Sequence, residues 1–178
     1  YETSCNGERE SIGIDKMPIS FSWKTASEKR GFIQSAYRIL VADSREKLDA
    51  DNGNVWDSGK RRTRESVMVK YEGAPLKSST RYYWKVLVAT DAAETIESDV
   101  QFFETAKMEE PWTAQWITCD SSRQRHPIFS KRISPTRAVA RARLYICGLG
   151  LYEAYFLGET SKVSSKIGDE YLTPYCNN

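Results

Sequence analysis

Chemistry in this sequence would have to rest on a few ionisable side chains, the most suggestive of which are acidic residues in close pairs. Two carboxyl groups held at a fixed separation can act as general acid and general base in a hydrolysis. A catalytic acid also needs a partly buried site that raises its pKa, whereas these pairs fall in polar stretches. We therefore expect solvated loop charges and predict no catalytic residue. The pairs are Glu8 with Glu10, Glu94 with Glu97, and Glu109 with Glu110.

The single histidine does not indicate a catalytic or metal-binding site either. His126 is the only histidine in the sequence. A nucleophile activated by it would need a serine or cysteine beside it in the fold, and a zinc site would need more ligands than one histidine and scattered cysteines. We therefore expect His126 to lie in a loop or at a strand edge, and we expect no metal and no cofactor.

The cysteines are spread along the chain, with no two close enough to form a CxxC zinc or redox pair. We expect buried or unpaired thiols, because isolated cysteines commonly pack as small hydrophobes. A disulfide is the alternative, and the sequence does not choose among the three possible connectivities. The four residues are Cys5, Cys119, Cys147 and Cys176.

The charge balance argues against nucleic acid as a partner. The sequence has 26 Lys and Arg against 24 Asp and Glu, a net charge of +2, whereas a polyanion binder has a clustered basic face. The basic run from Lys60 to Arg64 is therefore expected to be a solvated hairpin loop. No apolar stretch approaches the roughly 20 residues that cross a bilayer, so no membrane insertion is predicted.

The elements that would position these residues are short strands. Apolar and polar residues alternate with a period of two in several runs separated by turn signals, which is typical of an all-β sandwich. One helical turn is expected at residues 45–48, and a turn at residues 51–54. The predicted strands cover residues 19–23, 35–42, 55–59, 66–71, 80–90 and 98–105.

A tyrosine near the start of the longest strand is more specific than the alternation. Tyr82 follows Leu76 by six residues, and Trp84, Val86 and Val88 continue the same face. Such a tyrosine packs its ring inward and returns its hydroxyl to nearby backbone, forming a tyrosine corner. Trp23, at the end of the strand predicted at residues 19–23, is the expected core aromatic. With these features, residues 16–106 resemble a fibronectin type III domain, which is an immunoglobulin-like sandwich.

The sequence after residue 106 is also predicted to be β structure. Residues 107–111 are charged, end in proline and lack periodicity, which predicts a linker. Strands are expected at residues 127–133, 138–146 and 152–157. Four or five strands alone would leave open apolar sheet edges, which natural proteins avoid. We therefore expect the chain to be part of a longer protein.

A series of motifs keeps one order along nearly the whole chain. They include Gly13-Ile14-Asp15, Phe21-Ser22-Trp23 and Trp56-Asp57-Ser58-Gly59, together with residues 34–39, 80–86, 114–117, 127–129, 142–146, 148–155 and 168–174. No single motif is decisive. Together they resemble the N-terminal region of bacterial α-L-rhamnosidases, a family of glycoside hydrolases.

The resemblance implies a domain order. Such enzymes begin with a fibronectin type III-like domain, continue with a jelly-roll-type β-sandwich, and carry their acid and base carboxylates on an (α/α)6 barrel. This chain would then hold the first domain (residues 1–106), a linker (107–111) and the N-terminal part of an incomplete, antiparallel jelly-roll-like domain (112–178). It would be a non-catalytic accessory segment of an enzyme that hydrolyses terminal α-L-rhamnose.

The same resemblance names the expected partners. The first is the remaining domains of the parent enzyme; rhamnose-containing glycans and a second copy bound through open sheet edges are others. Two rival interpretations are an autonomous carbohydrate-binding module and an adhesion or scaffold protein. Exposed aromatics would stack on sugar rings, although core or interdomain packing is the favoured fate of each. The candidates for sugar binding are Trp112, Trp116, Tyr152 and Tyr155.

Overall fold

A computed structural model describes residues 2–26, 31, 33–91, 94–119, 128–140, 142–149, 152 and 154. The chain divides into two compact units, Tyr1–Ile117 and Thr118–Asn178. Within the described residues, all helices and strands belong to the first unit. They are β1 (Glu2–Cys5), β2 (Ile12–Ile14), β3 (Ser20–Lys24), β4 (Gln34–Ala42), α1 (Arg45–Asp49), β5 (Trp56–Asp57), β6 (Val69–Lys70), β7 (Arg81–Thr90), β8 (Thr95–Glu97) and β9 (Gln101–Thr105).

The strands form two sheets that enclose one core. The smaller sheet has the order β1-β3-β6, and the larger has the order β2-β9-β7-β4-β5, with β8 paired to β7. All pairs are antiparallel except that of β2 with β9. The prediction of an all-β, immunoglobulin-like sandwich for the first domain is confirmed.

The core contains the faces that the alternation predicted. The side chains of Trp84, Val86 and Val88 on β7 are fully buried, and those of Ile39 and Val41 on β4 lie in the same cluster. Burial of side chains this large contributes roughly 1.5–3 kcal/mol each. The alternation in these two strands was therefore a sound guide, because one face of the larger sheet is apolar along its length.

Trp23 fastens the smaller sheet to the larger one. Its indole Nε1 donates a hydrogen bond to Oε1 of Gln34 on β4, at 3.0 Å. The amide of Gln34 in turn donates to the carbonyl oxygens of Thr63 and Glu65, at 3.2 and 2.8 Å. A buried indole N–H needs such a partner. Trp23 is thus the core aromatic that the sequence predicted.

The tyrosine corner is present. The backbone N–H of Lys77 donates to the hydroxyl oxygen of Tyr82 at 2.9 Å, and Leu76 beside it is buried. The Tyr82 ring stacks on Phe103 of β9, with 5.5 Å between the ring centroids. This prediction, made from the spacing of Leu76 and Tyr82, is confirmed.

A buried lysine on β7 was not foreseen. Only 2% of the Lys85 side chain is exposed, and its Nζ forms ion pairs with Asp51 after α1 and Glu97 on β8, both at 2.6 Å. Burial by itself lowers the pKa of Lys85, but the hydrogen bonds to Asp51 and Glu97 outweigh it and hold the pKa above its usual value. The lysine therefore remains charged and ties two surface segments to the sheet.

Four details of the first unit differ from the sequence prediction. Strands β1 and β2 form before the first predicted strand, and β8 forms between the strands predicted at residues 80–90 and 98–105, which places Glu97 in a strand. The strand expected at residues 66–71 shortens to β6, and Val67 is 65% exposed although alternation places it on the same face as the buried Val69 and Tyr71.

A bulge explains the last difference. Phe21 pairs with Val69, but the next hydrogen bond joins the N–H of Trp23 to the carbonyl of Ser66, which leaves one extra residue on this side. Met68 has a φ of 53°, and its N–H donates to Ser22 Oγ. Such a bulge breaks the two-residue period and turns Val67 outward.

The second unit differs more. Residues 128–140 and 142–146 contain no strand, and their side chains are exposed, so the strands predicted at 127–133 and 138–146 do not form in the described residues. Strands bury one face against a neighbouring layer, and these described residues bury none. The strand predicted at 152–157 lies almost entirely outside the described residues, and the jelly-roll-like fold remains a prediction.

We expect Tyr82→Phe to lower the free energy of unfolding by about 1–2 kcal/mol, because it removes the only side-chain partner that the structure gives the Lys77 N–H in this part-buried corner. Tyr83→Phe is the matched control, since Tyr83 lies on the opposite face of β7. Denaturant unfolding measures both. Equal losses from the two variants would contradict a hydrogen-bonding role for the Tyr82 hydroxyl.

We expect Lys85→Ala to cost about 2–3 kcal/mol and Lys85→Met about 1 kcal/mol or less. Methionine keeps the buried volume, and the carboxylates of Asp51 and Glu97, half-exposed, can return to water. Lys24→Met, in an exposed pair with Glu2, is the control and is expected to change stability by less than about 0.5 kcal/mol. Equal costs for the two Lys85 variants would show that charge, not volume, matters.

Candidate functional site

The residues of the acidic pairs lie on the surface of the first unit. All six carboxylate-bearing residues are exposed, whereas a general acid works from a site that excludes water. Two of them form ion pairs with lysines: Glu97 with Lys85 at 2.6 Å, and Glu110 with Lys107 at 3.5 Å. These glutamates therefore act as charge partners.

The described residues hold no group of three or more His, Cys, Asp or Glu side chains that could bind a metal ion. His126 lies outside the described residues. Nor does the described part of the chain contain a helix with the length and hydropathy to cross a bilayer.

The cysteines fall into different states. Cys5 is buried with a free thiol, and burial raises the pKa of that thiol to about 12, so it is a poor nucleophile at neutral pH. Cys119 is a free, half-buried thiol. Cys147 is disulfide-bonded, which differs from the expectation of unpaired thiols. Cys176 lies outside the described residues. Spacing could not reveal the disulfide, because pairing depends on how the chain folds back.

The basic run lies on the surface, and one of its arginines is engaged within the domain. Lys60, Arg61 and Arg62 are exposed, but Arg61 pairs with Glu72 at 3.0 Å and donates to the carbonyl of Ser58 at 2.9 Å. The guanidinium of Arg61, which a phosphate would need to contact, is thus already paired with a carboxylate and a carbonyl oxygen.

The sugar-binding candidates lie in both units. In the first unit, Trp112 is 44% and Trp116 67% exposed, and in the second unit Tyr152 is also exposed. None of these three rings is buried in the core of its own unit, and the interdomain packing that was the other favoured fate stays a prediction. Tyr155 lies outside the described residues.

Two of these rings have polar neighbours. The ammonium of Lys107 lies 5.8 Å from the centroid of the Trp112 ring, within the range of a cation–π contact. The Tyr152 hydroxyl lies 3.4 Å from the carbonyl oxygen of Ile146. Each of these two rings therefore has one polar contact and retains exposed area.

Sequence reasoning missed a cluster on the outer face of the larger sheet. Arg81 lies over the ring of Phe102, 3.8 Å from its centroid, and its Nε donates to Glu104 at 2.6 Å. Register explains the cluster, because Arg81 is opposite Glu104 and Tyr83 opposite Phe102. Alternation suggested which residues share a face, but only the pairing of β7 with β9 shows which of them touch.

A family model described as the Rha78A-like N-terminal immunoglobulin domain matches residues 1–109. An α-L-rhamnosidase of Formosa agariphila is 37% identical over 199 aligned residues, which include 97% of this chain. The chain spans about a fifth of the length of that relative.

Solved structures that resemble this chain are also of α-L-rhamnosidases. A crystal structure of Streptomyces avermitilis α-L-rhamnosidase complexed with L-rhamnose matches 66% of this chain with a TM-score of 0.62 and 37% identity. The structure of an α-L-rhamnosidase from Dictyoglumus thermophilum matches 68% with a TM-score of 0.64 and 36% identity. The chain covers only 12% and 14% of those two chains.

Proposed function

Because this chain belongs to the family of Rha78A-like N-terminal immunoglobulin domains, we propose that it is the non-catalytic N-terminal segment of a longer α-L-rhamnosidase. The observation that carries the proposal is the family match over residues 1–109, extended by a relative that aligns with 97% of the chain. The parent enzyme would hydrolyse terminal α-L-rhamnose with carboxylates located outside this sequence.

The segment's work in this proposal is to pack against the other domains and to help position the substrate-binding parts. Exposed apolar side chains in the second unit support packing, since large apolar surfaces left in water usually mark a contact. Ile128 is 93% and Leu149 80% exposed. The remaining domains of the parent enzyme are the partners that would cover such residues; pairing with a second copy is the alternative.

A second candidate function is sugar binding by the segment itself. It is favoured by the exposure of Trp112 and Trp116, because an aromatic ring that remains in water can stack on the apolar face of a sugar. We also propose that residues 107–111 divide two domains and that a jelly-roll-like region begins at residue 112.

We expect the chain alone not to hydrolyse p-nitrophenyl α-L-rhamnoside, and the full-length protein that contains it to do so. Deleting residues 1–106 from the full-length protein is expected to lower its melting temperature, because a packing surface is lost. Activity assays and thermal scans on the three proteins measure this. Turnover by the chain alone, or no activity of the full-length protein on any α-L-rhamnoside, would refute the proposal.

The sugar-binding candidate predicts weak, saturable binding of a rhamnose-terminated oligosaccharide, with a Kd on the order of 1 mM. Trp116→Ala should abolish it, whereas Ile117→Ala, which removes an equally exposed but non-aromatic neighbour, should not. Isothermal titration calorimetry checks both variants. The absence of binding, or equal binding by both variants, would leave packing as the segment's function.

A further inference from the structure

The chain leaves the sandwich through a hydrogen-bonded turn, although its sequence suggests an open linker. After β9, the N–H of Ala106 donates to the carbonyl of Ile14, and the carbonyl of Ala106 accepts from the N–H of Ser79, both at 2.8 Å. The N–H of Glu110 then donates to the carbonyl of Lys107 at 2.8 Å. Residues 107–110 thus form a closed turn directly attached to the last strand.

The Glu110 carboxylate holds this turn against the sandwich. One of its oxygens accepts a hydrogen bond from the Ser79 hydroxyl at 3.2 Å, and the other pairs with Lys107 Nζ at 3.5 Å. Only 17% of the Lys107 side chain is exposed, against 49% of that of Glu110, so the pair is buried on the lysine side alone. One side chain therefore connects the turn to a separate loop of the domain.

The backbone conformation of the turn and of the loop it contacts also indicates that the two are held together. Met108 has a φ of 49° and Ser79 a φ of 51°, and both are non-glycine residues in the left-handed region. Such conformations are unfavourable for residues with a Cβ and persist where surrounding contacts over-determine them. The contacts that hold Met108 and Ser79 in these conformations are the hydrogen bonds that Ser79 makes with Ala106 and Glu110.

The loop that receives the turn is itself anchored in the core. The Thr105 hydroxyl donates to the carbonyl of Lys77 at 2.6 Å and accepts from the N–H of Thr80 at 3.0 Å. The same loop carries the tyrosine corner, in which the Lys77 N–H is bonded to Tyr82. The turn therefore contacts a surface loop, in which Ser79 is exposed, and that loop is tied through Lys77 to the buried ring of Tyr82.

We propose that Ser79, Ala106, Lys107 and Glu110 form an exit bracket, a rigid connector that fixes the direction in which the chain leaves the immunoglobulin-like domain. Trp112, with its ring 5.8 Å from the Lys107 ammonium, is the first large side chain that the bracket orients. The value of a fixed exit rests on the proposed function, because only a following domain needs to be held at a set direction. Ordinary interdomain linkers lack such contacts and let domains reorient.

The Lys107–Met108 peptide bond reports on the bracket, because trypsin cleaves after lysine only when the segment opens. Glu110→Ala is expected to speed that cleavage by about fivefold in this chain, since proteolysis follows the population of the open form. Glu109→Ala is the matched control, because the neighbouring Glu109 is exposed and makes none of these contacts. Mass spectrometry of the fragment ending at Lys107 separates this cut from others.

Hydrogen exchange gives an independent reading on the same proteins. The amides of Ser79 and Glu110 should be protected in the parent chain and in Glu109→Ala, and should exchange faster in Glu110→Ala and in Ser79→Ala. Equal cleavage and exchange in Glu110→Ala and Glu109→Ala would overturn the bracket. These readings involve no rhamnosidase activity, so failure of the bracket and failure of the proposed function are distinguishable.

Discussion

The burial of one face of β7 is the constraint on which the rest of the first unit depends. β7 is hydrogen-bonded to β4, β8 and β9, so it is the strand around which the larger sheet is built. Its inner face meets the smaller sheet through Trp84 and Phe21, whose ring centroids are 4.6 Å apart, and meets β9 through Tyr82 and Phe103. Without this face the core would lose the side chains against which Phe21 of the smaller sheet and Phe103 of β9 pack.

The outer face of the same strand meets the opposite requirement, because charged side chains there are covered by neighbouring elements. Lys85 and Arg81 each pair with carboxylates at 2.6 Å, and the partners come from distant parts of the chain. A buried charge left unpaired would cost several kcal/mol, so these pairs restrict how α1, β8 and β9 can sit on the sheet. Their contribution is to specify the arrangement more than to strengthen it.

A chain built in this way suits a supporting role. The acidic pairs and the basic run are paired or exposed, and the exposed large aromatic side chains of the described residues, such as Trp112 and Trp116, follow the sandwich, whereas apolar Val67 and Met68 are exposed within it. The exit bracket connects these two features, since it joins the core at the tyrosine corner to the segment that carries Trp112. In this proposal the stable sandwich supports the next domain by restricting, through the exit bracket, the direction in which that domain begins.

Sequence by itself determined the main strands with the apolar inner face of β7, the turn after α1, the tyrosine corner and Trp23, because local alternation and spacing suffice for these. The family motifs also lie in the sequence. Tertiary structure alone decided the bulge at Met68, the pairing of Lys85 with Asp51 and Glu97, the disulfide of Cys147, the exposure of Trp112 and Trp116, and the bracket formed by Glu110. Each of these depends on contacts between residues far apart in the chain, or on the lack of a neighbouring strand, and periodicity along the chain carries no information about either.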